Sequence, residues 1–200
     1  INEYLGQIFA GLSLGSVLML AAIGLAITYG LLGVINMAHG ELMMIGAYAT
    51  YVTQSVVRGV APGLFDWYPI VALPVAFVVC GLVGVAIERL VIRHLYGRAL
   101  ETLLATWGIS LILIQSIRQI FGPQNVGIEN PAWMSGAFTA SSLVLPYNRI
   151  AIIVFSLMVL ATVGLILSRT RLGLFVRGVT QNRPMAGAIG VPTGKVDMLA

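Results

Sequence analysis

The sequence predicts an all-α, polytopic transmembrane helical bundle with a discontinuous or re-entrant segment near residues 31–41. Three observations carry that expectation. Only 9% of the 200 residues are charged while 58% are hydrophobic, and the mean hydropathy is +0.97; a soluble domain carries about a quarter charged residues. Uncharged runs recur at 4–38, 42–57, 67–87, 102–117 and 150–168, and most approach or exceed the roughly 20 residues a helix needs to cross the hydrocarbon. None shows the alternation of a barrel strand, and an open strand edge would leave backbone groups unsatisfied in lipid.

Residues 4–38 as one helix would be about 50 Å long, well over the roughly 30 Å core. An inward span is therefore expected over about 5–29, then an irregular piece at 31–41. An outward span over 42–57 follows and begins below the membrane surface. Three short spans, with the N-terminus on the other side, are the alternative. The break reads "GVINMAHGEL" and sets Asn36, His39 and Glu41 between and beside Gly33 and Gly40, glycines that permit a turn. An ionisable group inside a membrane is a functional candidate by default, and broken helices at membrane depth border protein or watery cavities. Asn36, His39 and Glu41 are thus expected on a substrate pathway; the competing reading has Asn36 capping the second helix. Gly11 and Gly15, four apart in "GLSLG", are expected to admit a close helix neighbour. The same letters match a nucleophile elbow, which needs a strand and a sharp turn that an apolar span lacks.

Charge sets the orientation. Arg89, Arg93 and Arg98 lie in one loop, and Arg169, Arg171, Arg177, Arg183 and Lys195 follow the last long run. Lys and Arg are retained on the cytoplasmic side, so the third run points inward, the fourth outward and the fifth inward. The net charge of +4 and pI near 9.6 then report topology and contact with lipid headgroups rather than nucleic acid. Residues 58–69 and 118–149 fall outside, where Trp67, Tyr68, Trp133 and Tyr147 would form an interfacial belt. The Gly-, Pro- and Asn-rich segment 121–148 predicts a structured loop with a short interfacial helix around Trp133.

Thr102, Thr106 and Ser110 recur every four residues and share a helix face flanked by Trp107. Their hydroxyls could bond a small polar solute or a neighbouring helix; all four residues are candidates for the pathway. No catalytic, metal or cofactor site is expected. The lone Cys80 excludes a cysteine-rich site or an internal disulfide. "GVPTGKV" has three residues between its glycines and Val196 after the lysine, and so departs from a phosphate loop. His39 and Glu41 lack the cysteines of a zinc deaminase.

The blocks "GLAITYGLLGVINMAHGELMMIGAYATYV", "LETLLATWGISLILIQSIRQIFGPQNV", "LPYNRIAIIVFSLMVLA" and "RTRLGLFVRGVTQNRPMAGAIGVPTGKVDMLA" resemble the permease subunits of bacterial ABC importers for branched-chain amino acids and urea, the urea branch (UrtB type) in particular. The resemblance implies a helical permease of the bacterial inner membrane. It would pair with a second homologous permease, two cytoplasmic ATPase subunits and a periplasmic or extracellular binding protein. Residues 1–200 would be part of a single permease domain continuing beyond "KVDMLA". It further implies a coupling segment at about 181–190 that docks on the ATPase: Gln181, Arg183 facing the partner, Pro184 in the first helical turn, and Gly190 as a left-handed C-terminal cap. Met185, Ala186 and Ile189 are spaced for one apolar face; an amphipathic helix on the inner leaflet is the alternative reading. The expected activity is inward transport of urea by alternating access, without covalent chemistry. A branched-chain amino acid as cargo, or a passive solute channel, are the alternatives.

Overall fold

The computed structural model describes residues 2–33, 36–95, 97–140 and 143–199. The long helices are α1 (Asn2–Leu32), α2 (His39–Val60), α3 (Tyr68–Leu90), α4 (Ala99–Phe121) and α5 (Tyr147–Arg169). Three short ones close the chain: α6 (Arg171–Gln181), α7 (Arg183–Ala188) and α8 (Thr193–Leu199). Among the described residues, four stretches are long and apolar enough to cross a membrane: Tyr4–Gly30, Pro62–His94, Ala99–Phe121 and Tyr147–Arg169. The protein is an all-α, multi-pass membrane protein. Its one sheet among the described residues is a small antiparallel hairpin in the loop before α5, β1 (Ala137–Ala140) on β2 (Leu143–Pro146), with Ala137 opposite Pro146. Around Trp133, where a short interfacial helix is expected, there is a single 3-10 turn, Ala132–Met134.

Contacts divide the chain into two compact units. The first comprises Ile1–Leu32 and Ala132–Ala200. Here α1 packs on α5, and α6 folds back after α5. The reversal needs Gly173, because a Cβ there would stand 2.1 Å from the Leu167 carbonyl oxygen. Thr170 caps α6, its Oγ1 accepting the Gly173 N–H at 3.4 Å. Gly11 and Gly15 have nothing within 4 Å of a built Cβ, so no helix among the described residues makes the close approach expected there; the buried residues of α1 include Ser13 and Ser16.

The second unit is Gly33–Pro131. Its α2 and α3, joined by the 3-10 turn Pro62–Trp67, run antiparallel in close contact. The Cys80 Sγ–H donates to the Leu42 carbonyl at 3.2 Å and lies 3.1 Å from where a Gly46 Cβ would be. Tyr68 departs from the expected aromatic belt: it is 4% exposed, and its hydroxyl donates to the Glu129 carbonyl at 2.6 Å. Trp67, Trp133 and Tyr147 are exposed as expected of belt residues.

Candidate functional site

The break between α1 and α2 falls where the sequence places it. Gly33 takes φ +67°, a left-handed conformation open to glycine without Cβ strain; residues 34 and 35 lie outside the described residues. The Asn36 Oδ1 accepts the Ala38 N–H at 3.0 Å, and the Asn36 carbonyl accepts the His39 N–H at 3.3 Å. This Asx turn leads the chain into α2; the N-cap is Ala38, without a side-chain cap bond, so Asn36 shapes the entry rather than capping the helix.

The turn is anchored on α4. Met37 donates its N–H to Thr106 Oγ1 at 3.3 Å, and the Thr106 hydroxyl donates to the Leu103 carbonyl at 3.0 Å. Thr106 is 0% exposed, so both capacities of its hydroxyl are used in a closed space. Four residues further along each segment, the Ser110 Oγ–H donates to Glu41 Oε1 at 2.7 Å. The other carboxylate oxygen, Oε2, is buried with no hydrogen-bond partner. Glu41 lies in the first turn of α2, where the partial positive charge of the helix end favours an anion.

These pairings fix how deep α2 begins. α3 continues from Cys80, opposite Leu42, to Leu90, and α4 starts at Ala99, before Ser110 reaches Glu41. At 1.5 Å per residue the two neighbours extend beyond the start of α2 by roughly 10 Å and 13 Å. The α2 end, with Asn36 and Glu41, is therefore set well inside the layer spanned by α3 and α4. α2 itself is absent from the four apolar spans, yet its 22 residues cover about 33 Å beside α3, long enough to cross.

A cavity of about 330 Å³ opens along α2 and α4, in the size range of small-molecule sites, roughly 300–1,000 Å³. Glu41 and Gly40 line it at the α2 start, Met44, Ile114 and Ile117 along its length, and Arg118 at the far end with the loop residues Gln124 and Asn125. The structure thus gathers Asn36, Glu41, Thr106 and Ser110 at the α2 start. His39 opens α2 half-buried beside them. Thr102 is not part of that group: its hydroxyl bonds the Leu95 and Arg98 carbonyls of its own helix entry. Trp107 is 52% exposed, on a different face from Thr106. Arg118, not among the residues singled out from the sequence, lines the cavity too; its position in the last turn of a helix with a polar face is the signal that could have found it.

At the chain's other end, α6, α7 and α8 form a knuckle around Val179, Ala186 and Val196, against which Ile27 of α1 packs. Gln181 closes α6, and the Asn182 side chain caps α7 by accepting the Met185 N–H at 3.1 Å, with Pro184 in the first turn. Gly190 takes φ +90°, Val191 N–H bonds the Ala186 carbonyl at 3.0 Å, and Gly190 N–H bonds the Gly187 carbonyl at 3.1 Å. That pair of bonds is a Schellman ending, as expected for Gly190. Two expectations change. Ala186 is buried in the knuckle while Met185 and Ile189 are exposed, so the three do not form one face. Arg183, expected to face a partner, pairs with Asp197, whose side chain is 0% exposed; the guanidinium ties α7 to α8.

The family model described as "Branched-chain amino acid transport system / permease component" matches residues 7–200. The chain belongs to this family. It is 29% identical over 98% of its length to the high-affinity branched-chain amino acid transport system permease protein BraD of Pseudomonas aeruginosa, covering 65% of that protein. It is 28% identical over 96% of its length to the permease protein LivH of Escherichia coli K12, covering 64% of it. A third relative, the probable LivH of Methanocaldococcus jannaschii, is 28% identical over 92% of this chain and 58% covered. The chain therefore spans under two thirds of the length of these relatives. No solved structure matches it. The expected urea branch finds no support among these relatives, all named for branched-chain amino acids.

Proposed function

We propose that the chain is part of the membrane-spanning permease of an ATP-driven ABC importer that carries branched-chain amino acids inward by alternating access. The family match over residues 7–200 carries this reading. The cavity supports the cargo class: it holds one carboxylate, Glu41, and one guanidinium, Arg118, beside an apolar wall of Met44, Ile114 and Ile117. A zwitterion with a branched side chain has a use for all three, whereas neutral urea needs neither charge. The pathway proposed is the α2 start and its cavity, with Asn36, His39, Glu41, Thr106 and Ser110; Thr102 and Trp107 contribute to helix entry and outer surface.

In this reading the knuckle is the coupling element, offering Met185, Ile189 and Gly190 to the ATPase while Arg183 keeps its shape. The basic clusters support a cytoplasmic position for it and for the 88–101 loop. A second homologous permease, two cytoplasmic ATPase subunits and an external binding protein complete the assembly in the bacterial inner membrane. The test is reconstitution of the full-length permease with these partners in liposomes. Labelled leucine should accumulate against its gradient only with ATP, and urea should not. Accumulation of urea instead would restore the urea reading, and equilibration without ATP would make the protein a channel.

A further inference from the structure

We propose that the unpartnered Oε2 of Glu41 is the acceptor for the α-ammonium group of the transported amino acid, making Glu41 the residue that selects amino acids over deaminated or neutral solutes inside the membrane. The inference rests on the transport reading above and adds the atom that recognises the cargo.

Each of the two carboxylate oxygens has a distinct place. Oε1 is held by the Ser110 hydroxyl at 2.7 Å, whereas Oε2 is buried and bonds to nothing among the described residues. A buried carboxylate oxygen without a donor is costly, and more so at a depth of roughly 10 Å or more within the helical layer. Among the described residues no donor reaches it, and Arg118 lies two turns of α4 beyond Ser110, about 12 Å along the axis, at the opposite end of the cavity. Glu41 lines a space large enough for a solute, Oε2 lying just beneath that wall, and Gly40 beside it adds no side chain.

A ligand that satisfies Oε2 must bring a cationic N–H donor. An ammonium group does so, its charge-assisted bond being stronger than a neutral one; a urea amide brings only a neutral N–H. The amino acid's apolar side chain then lies along Met44, Ile114 and Ile117. Its carboxylate is too near its own ammonium to reach Arg118 at the same moment, so Arg118 meets the carboxylate at an earlier position in the same cavity.

The test separates this atom from the external binding protein, which must also recognise the cargo. Binding of labelled leucine to the full-length permease–ATPase complex is measured in detergent without the binding protein. Leucinamide, which keeps the ammonium, should compete. 4-Methylpentanoate, which is leucine without its amino group, should compete at least about tenfold more weakly, as expected for loss of a charged hydrogen bond. E41Q should lower leucine affinity by a similar factor in a complex that still assembles. S110A, which leaves Oε2 in place, should cost less. The analogue series uses the unaltered protein and stands even where E41Q fails to assemble. Equal competition by 4-methylpentanoate, unchanged affinity in an assembled E41Q complex, or no leucine binding overturns the proposal. Should the wild-type complex accumulate leucine with ATP while any of these holds, only the role of Glu41 falls; should it not, the transport reading falls with it.

Discussion

Single side chains decide where the second unit's loop is fastened. Glu129 receives a hydrogen bond from the Arg58 guanidinium, while its backbone is held by Tyr68 and Gln54: its carbonyl takes the Tyr68 hydroxyl, and its N–H donates to Gln54 Oε1 at 3.2 Å. The Arg58 hydrogen bond first, and its charge second, hold the Glu129 carboxyl below its ordinary pKa. A group whose folded pKa is depressed contributes stability above its unfolded pKa and loses it as pH falls through the folded value. The latch is therefore closed at neutral pH and releases only in acid, below the ordinary carboxylate range. Limited proteolysis of the 122–131 segment should show this, with cleavage rising on acidification in the wild type. E129Q should be cleaved faster at neutral pH and show little further change. A wild-type cleavage rate flat through the acid range would mean that the Tyr68 and Gln54 bonds fasten the loop alone. Glu41 differs in kind: it lines a cavity, and its Oε2 is buried without a hydrogen-bond partner among the described residues.

Among the elements, α7 shows how a side chain can be structural where a docking role is expected. Removing Arg183 leaves the enclosed Asp197 carboxylate without its cation, and breaking a buried pair this way costs about 3–5 kcal/mol; the one-third exposure of Arg183 and solvent screening put this pair at the lower end. R183M should weaken ATPase association, and R183M/D197N should recover much of it, measured by co-purification. No recovery would mean that Arg183 itself touches the ATPase. The contrast also marks what was legible beforehand. The long helices follow from uncharged run lengths, and the Gly190 ending from a glycine after a short helix. Arg183's partner sits fourteen residues on, in a helix whose return depends on the buried Val179, Ala186 and Val196, and no periodicity reveals that. The hairpin at 137–146 was hidden because each strand has only four residues. Asn36 and Glu41 stood out as polar groups in an apolar run. Their depth needed the overhang of α3 and α4, and the unpartnered oxygen needed three-dimensional contacts with Ser110.

At the scale of the whole molecule the chain passes from one compact unit to the other at Gly33, and that joint carries the proposed transport cycle. On one side of it, Ile27 of α1 packs against the knuckle, and Gly30 lies beside Thr180 of α6, 3.7 Å from the position of an added Cβ. On the other side, within a few residues, come the Asn36 turn and Glu41. In the proposed assembly, a push on α7 by an ATPase would reach the last turns of α1 through packed side chains, since rigid packing transmits such displacements. The covalent path from there to the cavity runs through Gly33 at φ +67°. A conformational change in the cycle must alter backbone angles somewhere between α1 and α2, and a glycine is the residue that does so without Cβ strain. G33A adds a Cβ in the left-handed region, at a cost of about 1–2 kcal/mol, and narrows the angles the joint can visit. The expected outcome in the reconstituted complex is ATP hydrolysis near the wild-type rate with several-fold less leucine accumulated per ATP. Leucine affinity in the detergent assay should change little, because Glu41 and Ser110 are untouched. An unchanged transport-to-ATP ratio in G33A would show that the motion reaches the cavity by another route, while equal loss of hydrolysis and transport would place the defect in the knuckle's grip on the ATPase.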